Sequence, residues 1–190
     1  MKPARFTLLL SIALTLAFAA HAQNAKPSDA PAATATVANP VSTVVKQQLT
    51  RFSKIMVAAA EAMPAEKYNF KPSPEMNSFA HLTNHISEGN TELCSKISGT
   101  PAPDSKLADT DSKDKLVAGL KASFDFCSTA LANADDSKLS DPMSLFGGHF
   151  QTTRAGALIA LSDEFFDHYS TQAVYLRLNG ILPPTAQPKK

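Results

Sequence analysis

"SFAHLTNHISEGNTELC", residues 78–94, decides the fold class of this 190-residue chain. Its apolar side chains recur every three or four residues, at Phe79, Leu82, Ile86 and Leu93. That period is typical of an amphipathic helix. Gly99 and Pro101 follow the stretch and are typical of a helix end. We therefore expect a helix from about Asn77 to Ser98.

Three other segments have the same period. They predict helices from Val41 to a stop at Pro64, from about Lys113 to Asn133, and from Thr152 or Thr153 to a stop at Gly180. Ser42 is the expected cap of the first. Residues 135–151 are expected to be irregular, and no convincing strand run is present. Four amphipathic helices of similar length predict an all-α four-helix bundle.

The first 22 residues are typical of a secretory signal peptide. Lys2 and Arg5 precede an apolar run, and Ala20-His21-Ala22 offers small residues for cleavage. The run is short for a membrane span. We therefore expect an exported protein, periplasmic or secreted, with no stable membrane anchor after cleavage. The expected organisation is a signal peptide at 1–22, a flexible linker at 23–40, the bundle at 41–184 and a tail at 185–190.

The charge balance excludes a nucleic-acid-binding footprint. The chain has 18 Lys and Arg against 17 Asp and Glu, and cleavage after Ala22 removes two basic residues and no acidic one. The remaining chain is close to neutral, whereas nucleic-acid binding needs clustered positive charge. The expected partner is a small-molecule substrate.

Two cysteines, Cys94 and Cys127, lie outside the signal segment. In an oxidising compartment two cysteines are more often joined than free. We predict one disulfide between the second and third helices, with two buried free thiols as the alternative.

Helical wheels place one histidine on each of two helices at the margin of the apolar stripe. His85 and His168 each lie about 60° from the centre of the stripe on their helix. His81 and Glu164 each precede them by one turn and lie about 100° away. We therefore expect His85 to face the interior and His81 to lie nearer solvent.

Two interpretations of this arrangement remain open. Bundle cores hold metals through ligands that project from facing helices, and two imidazoles with a carboxylate suit a divalent transition metal. A histidine at a helix margin is more often a packed residue with a hydrogen-bond partner. His149, in the irregular segment, is more simply a surface residue than a group over the pocket.

The segment "HYSTQAVYLRLNGILPP", residues 168–184, resembles the C-terminal signature of the DinB-like superfamily. "SFAHLTNHISEGNTELC" resembles its second-helix segment, and "FDFCSTAL" and "FGGHFQTTRAGAL" are also similar. The resemblance spans roughly residues 41–184. It implies a four-helix bundle, in many members a divalent-metal protein.

The resemblance also implies a ligand set. Its second-helix register selects His85 over His81, and His168 matches a ligand of the last helix. Glu164 stands where the family usually has histidine, so the implied metal ligands are His85, Glu164 and His168, either as a variant triad or as a weakened site. The implied cofactor is a divalent ion: zinc, nickel, iron or manganese.

Three functions are compatible with these features. The first is a metal-dependent enzyme of the thiol-transferase or hydrolase type. The second is a non-catalytic bundle that binds a metal or small ligand, and the third is a structural bundle with a degenerate site. The sequence leaves the substrate and the oligomeric state open, with a homodimer as one candidate.

Overall fold

The structure, a computed structural model, describes residues 36–188, and one compact unit begins at Ala38. The predicted signal peptide and most of the predicted linker lie outside the described residues. The helices in this range are α1 (Pro40–Ala62), α2 (Phe79–Ser98), α3 (Lys113–Ala130) and α4 (Arg154–Leu178). The prediction of an all-α four-helix bundle is confirmed. None of the helices in residues 36–188 is long and apolar enough to cross a bilayer.

In the four-helix bundle, α1 and α2 lie at diagonally opposite corners. Each of them packs against both α3 and α4. The connection from α1 to α2, residues 63–78, is therefore diagonal. Tyr68 fixes it in place: its hydroxyl donates to the Ala60 carbonyl at 2.7 Å, and its own carbonyl accepts from the Ala80 amide at 2.8 Å. The end of this connection becomes one wall of the site described below.

The core is aromatic at its centre. The Phe165 ring of α4 lies 5.8 Å from the Phe52 ring of α1 and 5.9 Å from the Phe124 ring of α3, measured between centroids. All three side chains are buried. Such pairs stabilise a core beyond the area they bury, so the three helices are held together by contacts that the apolar stripes in the sequence predict.

Cys94 of α2 and Cys127 of α3 are paired. Their Cα atoms are 5.2 Å apart, their sulfur atoms lie at disulfide distance, and both residues are fully buried. This geometry is the usual one for a disulfide. The pair joins α2 to α3, as predicted from the sequence.

Residues 135–151 are not wholly irregular, which corrects the expectation that the chain has no strands. β1 (Pro142–Leu145) pairs antiparallel with β2 (Phe150–Thr153), with Leu145 opposite Phe150. The turn between them holds Gly147 and Gly148, both with positive φ, a conformation that glycine adopts without strain. Each strand has only four residues, too few for a clear alternation of apolar and polar side chains. His149 lies on this turn and is exposed.

Two helix ends also differ from expectation. Ser42 is not the cap of α1 but a buried residue inside it, and the Asp136 carboxylate accepts the amides of Val41 and Ser42 at 2.9 Å each. A cap supplied by a residue so distant in sequence is invisible to a local pattern. α3 ends three residues before Asn133, and the carbonyls of residues 132 and 134, beyond its end, accept from the Lys46 ammonium.

Candidate metal centre

The first turn of α2 positions two histidines. Ser78 caps the helix, and its hydroxyl accepts the amide of His81 at 3.1 Å. One turn later comes His85, so the two rings are stacked along the helix with centroids 6.0 Å apart. Both imidazoles therefore lie on the side of α2 that borders α4.

The facing turn of α4 positions Glu164 and His168. The Nδ1 atom of His168 lies 2.8 Å from the Glu164 carbonyl oxygen and 3.1 Å from its carboxylate Oε2. A single N–H on Nδ1 serves both oxygens, which favours the tautomer with Nε2 unprotonated. A backbone carbonyl on one ring nitrogen is a common way to orient a histidine whose other nitrogen binds a metal.

The two helices bring His85, Glu164 and His168 together. One ligand atom from each lies within 4.8 Å of the others, and the rings of His85 and His168 are 5.0 Å apart. Ligands around a tetrahedral zinc with 2.0–2.1 Å bonds are separated by about 3.4 Å. The group is therefore close to the spacing that a metal needs, and its donors are two imidazoles and a carboxylate. These residues fit a divalent transition metal.

The burial of the α2 histidines is the reverse of the expected order. His85 is exposed, whereas His81 is half-buried. The wheel was centred on the large apolar residues, but small polar residues such as Ser87 and Asn90 are also buried, because α3 packs on them. They shift the buried face away from His85. Asp109 in the loop before α3 covers part of His81.

His81 belongs to a separate polar cluster. Its Nδ1 lies 2.7 Å from Asp109 Oδ2, and Asp109 Oδ1 accepts from the side-chain amide of Asn84 at 3.0 Å. Burial acts to raise the pKa of Asp109, but the hydrogen bonds from His81 and Asn84 outweigh it, so the pKa is lowered. Asp109 thus fixes the His81 ring and leaves Nε2 as the nitrogen available to a ligand.

A cleft of about 350 Å³ opens between α2, α4 and the end of the diagonal connection. Its volume is at the lower end of the range for small-molecule sites. His81, His85 and His168 line it, together with apolar side chains from Met76, Leu82 and Tyr175. Glu164 lies outside it, in a small adjoining crevice that shares His168. The candidate metal group is therefore at the edge of a space for a small molecule.

Several residues of this cleft were not predicted from the sequence. Glu75 and Asp167 line it, and Asp109 holds His81. Asp167 adjoins His168 and follows Glu164 by three residues, a spacing that brings side chains to one helix surface and that was available as a signal. Glu75 and Asp109 lie in connections, where no periodic pattern indicates which way a side chain points.

A bundle with two histidines and a carboxylate on facing helices defines a class of four-helix proteins with a candidate metal centre. The sequence model of the DinB superfamily matches residues 48–171, most of the described bundle. The chain belongs to the DinB superfamily.

Solved structures support the same fold. A DinB-like protein from Bacillus cereus ATCC 10987 matches with a TM-score of 0.61 and 16% identity, over 74% of this chain and 93% of that one. A DinB-like protein from Bacillus subtilis matches with a TM-score of 0.61 and 19% identity, over 76% and 99%. A mycothiol-dependent maleylpyruvate isomerase matches with a TM-score of 0.54 and 15% identity, over 67% of this chain and 58% of that one. No curated protein matches the chain significantly.

Proposed function

We propose that this DinB superfamily protein is an exported, divalent-metal-dependent enzyme that acts on a small molecule in the cleft. The observation that supports the proposal most is the convergence of His85, Glu164 and His168 to within 4.8 Å at the cleft edge. The reaction class is transfer of a thiol or hydrolysis. One relative of the same fold is a mycothiol-dependent isomerase, which supports the use of thiols among the first test substrates.

His85, Glu164 and His168 would hold the metal, and the ion would lower the pKa of a bound water or thiol or polarise a carbonyl group. His168 presents Nε2 because its Nδ1 is engaged by the Glu164 carbonyl oxygen. The Glu164 carboxylate lies 3.1 Å from the same Nδ1 and would have to leave that contact to bind the ion. His81 is held by Asp109 and would accept a proton on Nε2 from a group bound in the cleft. Met76, Leu82 and Tyr175 would exclude water from the apolar part of a substrate.

Metal titration of the purified protein tests the ligand assignment. We expect His85→Ala and His168→Ala each to weaken binding of Zn²⁺ or Co²⁺ at least about tenfold, equivalent to about 1.4 kcal/mol. Glu164→Gln should also weaken it. His149→Ala is the matched control, because His149 is exposed on the hairpin turn. Binding should weaken as the pH falls, since protonated imidazole does not ligate.

The outcomes of this titration separate the candidate functions. A wild type that binds no divalent ion near neutral pH would leave a structural bundle with a degenerate site. Unchanged affinity in Glu164→Gln would remove the carboxylate from the ligand set. Tight metal binding without turnover of thiol-transfer or ester substrates would favour a non-catalytic binding protein.

Export has its own test. The proposed cleavage after Ala22 predicts a mature N-terminus at Gln23. The buried cysteine pair supports export, because disulfides persist in oxidising compartments. Intact mass of the protein from a native host decides the point, and the mass of the uncleaved chain contradicts cleavage.

A further inference from the structure

The charged side chains that line the cleft are acidic. Two carboxylates, Glu75 from the diagonal connection and Asp167 from α4, are among its lining residues, and none of those residues is lysine or arginine. Asp109 and Glu164 lie directly behind the lining histidines His81 and His168. Apart from a metal, the described groups around the cleft are therefore carboxylates and imidazoles.

The two lining carboxylates are not neutralised by the described part of the chain. Ion pairs within residues 36–188 involve other acids, and neither Glu75 nor Asp167 takes part in one. Both residues are exposed. The pKa of Glu75 is lowered, because its carboxylate accepts its own backbone amide and the Ser73 hydroxyl. Both groups are free to act on a ligand.

The cleft lining also has an apolar part. Tyr175 is buried, and its hydroxyl donates to the Asn77 carbonyl at 2.7 Å, which ties the diagonal connection to α4. Met76 and Leu82 add further apolar side chains to the lining. A ligand with a short apolar segment and a polar end at each side matches this distribution.

We propose that the cleft selects small cationic ligands, such as primary amines or guanidines, whose charged end is directed to Glu75 and Asp167. The inference rests on the proposed function for the other end of the ligand, which is directed to the metal group. Anionic ligands of the same size are disfavoured, because their free end meets two carboxylates, and no lysine or arginine is among the described lining residues. Exposed ion pairs are weak, so the expected selectivity is about threefold to tenfold.

Three matched hydroxamates test the charge of the ligand. They share the skeleton of a hydroxamate followed by two methylene groups, and end in an ammonium (β-alanine hydroxamate), a methyl (butyrohydroxamate) or a carboxylate (succinic monohydroxamate). Their affinities are measured on the Co²⁺-loaded full chain by visible absorption. We expect the ammonium form to bind about threefold to tenfold more tightly than the methyl form, and the carboxylate form most weakly.

Two double variants assign the effect to the cleft. Glu75→Gln/Asp167→Asn should reduce the differences among the three ligands to within about twofold. Glu66→Gln/Asp125→Asn removes the same charge from exposed positions that do not line the cleft and should keep the wild-type order. Equal affinities in the wild type, tightest binding of the carboxylate form, or equal loss of selectivity in both double variants would overturn the proposal.

A metal-free measurement keeps this inference separate from the proposed function. If Co²⁺ alone does not bind, the proposed metal function fails, and the cleft is then titrated with propylammonium, propanol and propionate. Amide NMR shifts of Thr171 and Tyr175, which line the cleft, report binding. Shifts that saturate with propylammonium at the lowest concentration uphold the charge selectivity without a metal. Equal or absent responses to the three probes overturn it.

Discussion

The two sides of α2 are built in opposite ways. Toward α3 the helix is closed: Asn90 donates to the Ser123 hydroxyl at 3.1 Å, and Cys94 is paired with Cys127. Toward α4 it is open, with exposed His85 beside a cleft. One helix therefore serves as scaffold on one side and as candidate site on the other. The closed side fixes the backbone from which the open side presents its imidazoles.

Removal of the cysteine pair on the closed side of α2 is expected to have the largest effect on the free energy of unfolding. Cys94→Ala/Cys127→Ala opens a link that spans 33 residues of sequence. In the chain-entropy account, a loop of that size stabilises by about 3–4 kcal/mol. We expect the free energy of unfolding, measured by urea titration, to fall by that amount, with little change in the metal affinity of the folded variant.

Two measurements decide the outcome. The unfolded, unreduced wild type should contain no thiol that reacts with a labelling reagent, and two reactive thiols would contradict the pairing. A large fall in metal affinity in the folded double variant would show that the open side depends on the covalent link and not only on helix packing.

Tyr175→Phe sharpens the contrast on the open side. The change removes the hydroxyl that donates to the carbonyl of Asn77, in a bond that is partly buried. Loss of one such hydrogen bond costs about 1 kcal/mol of unfolding free energy. Because Asn77 is part of the cleft wall, we also expect weaker binding of the cationic hydroxamate.

Tyr169→Phe is the matched control for that variant. Its hydroxyl donates to the Thr185 hydroxyl at 2.8 Å, and neither residue lines the cleft. A similar loss of stability with unchanged ligand affinity is the expected result. If both variants weaken the ligand equally, the effect comes from general loosening of α4.

The helices could be predicted from the sequence because each obeys a local period. The stripes of Phe52 and Phe165, and the glycine with positive φ at Gly99, follow from neighbours within a few residues. What could not be predicted depends on distant residues. Asp136 caps α1 across 94 and 95 positions, and no window along the sequence joins them.

In the candidate site, too, the residues on helices could be predicted from the sequence and those in the connections could not. His85, Glu164 and His168 follow from two helical registers and a family resemblance, and the structure brings them together. The predicted burial was wrong for His85. The helical wheel was centred on large apolar residues and did not include the small polar residues that pack against α3. Asp109 and Glu75 were missed because a connection has no periodicity that assigns its side chains to a surface.

The smallest expected effect tests the hydrogen bonds that Asp109 makes with His81 and Asn84. The pKa of Asp109 is lowered in the folded protein, so its ionised form stabilises the fold above the ordinary carboxyl range. That contribution is lost as the pH falls through the folded-state value. Its side chain is 43% exposed, so solvent screening keeps the contribution below about 1 kcal/mol.

Asp109→Asn should therefore lower the free energy of unfolding by less than about 1 kcal/mol at pH 7. The difference from wild type should shrink as the pH falls from 7 to 3, because the contribution of the ionised carboxylate declines once the pH is below the ordinary carboxyl pKa. Urea titrations at the two pH values measure it, with Asp104→Asn, an exposed residue of the same loop, as control. A difference of the same size at pH 3 as at pH 7 would show that Asp109 acts through packing. A fall in metal affinity of tenfold or more would place His81 among the ligands and replace the proposed triad.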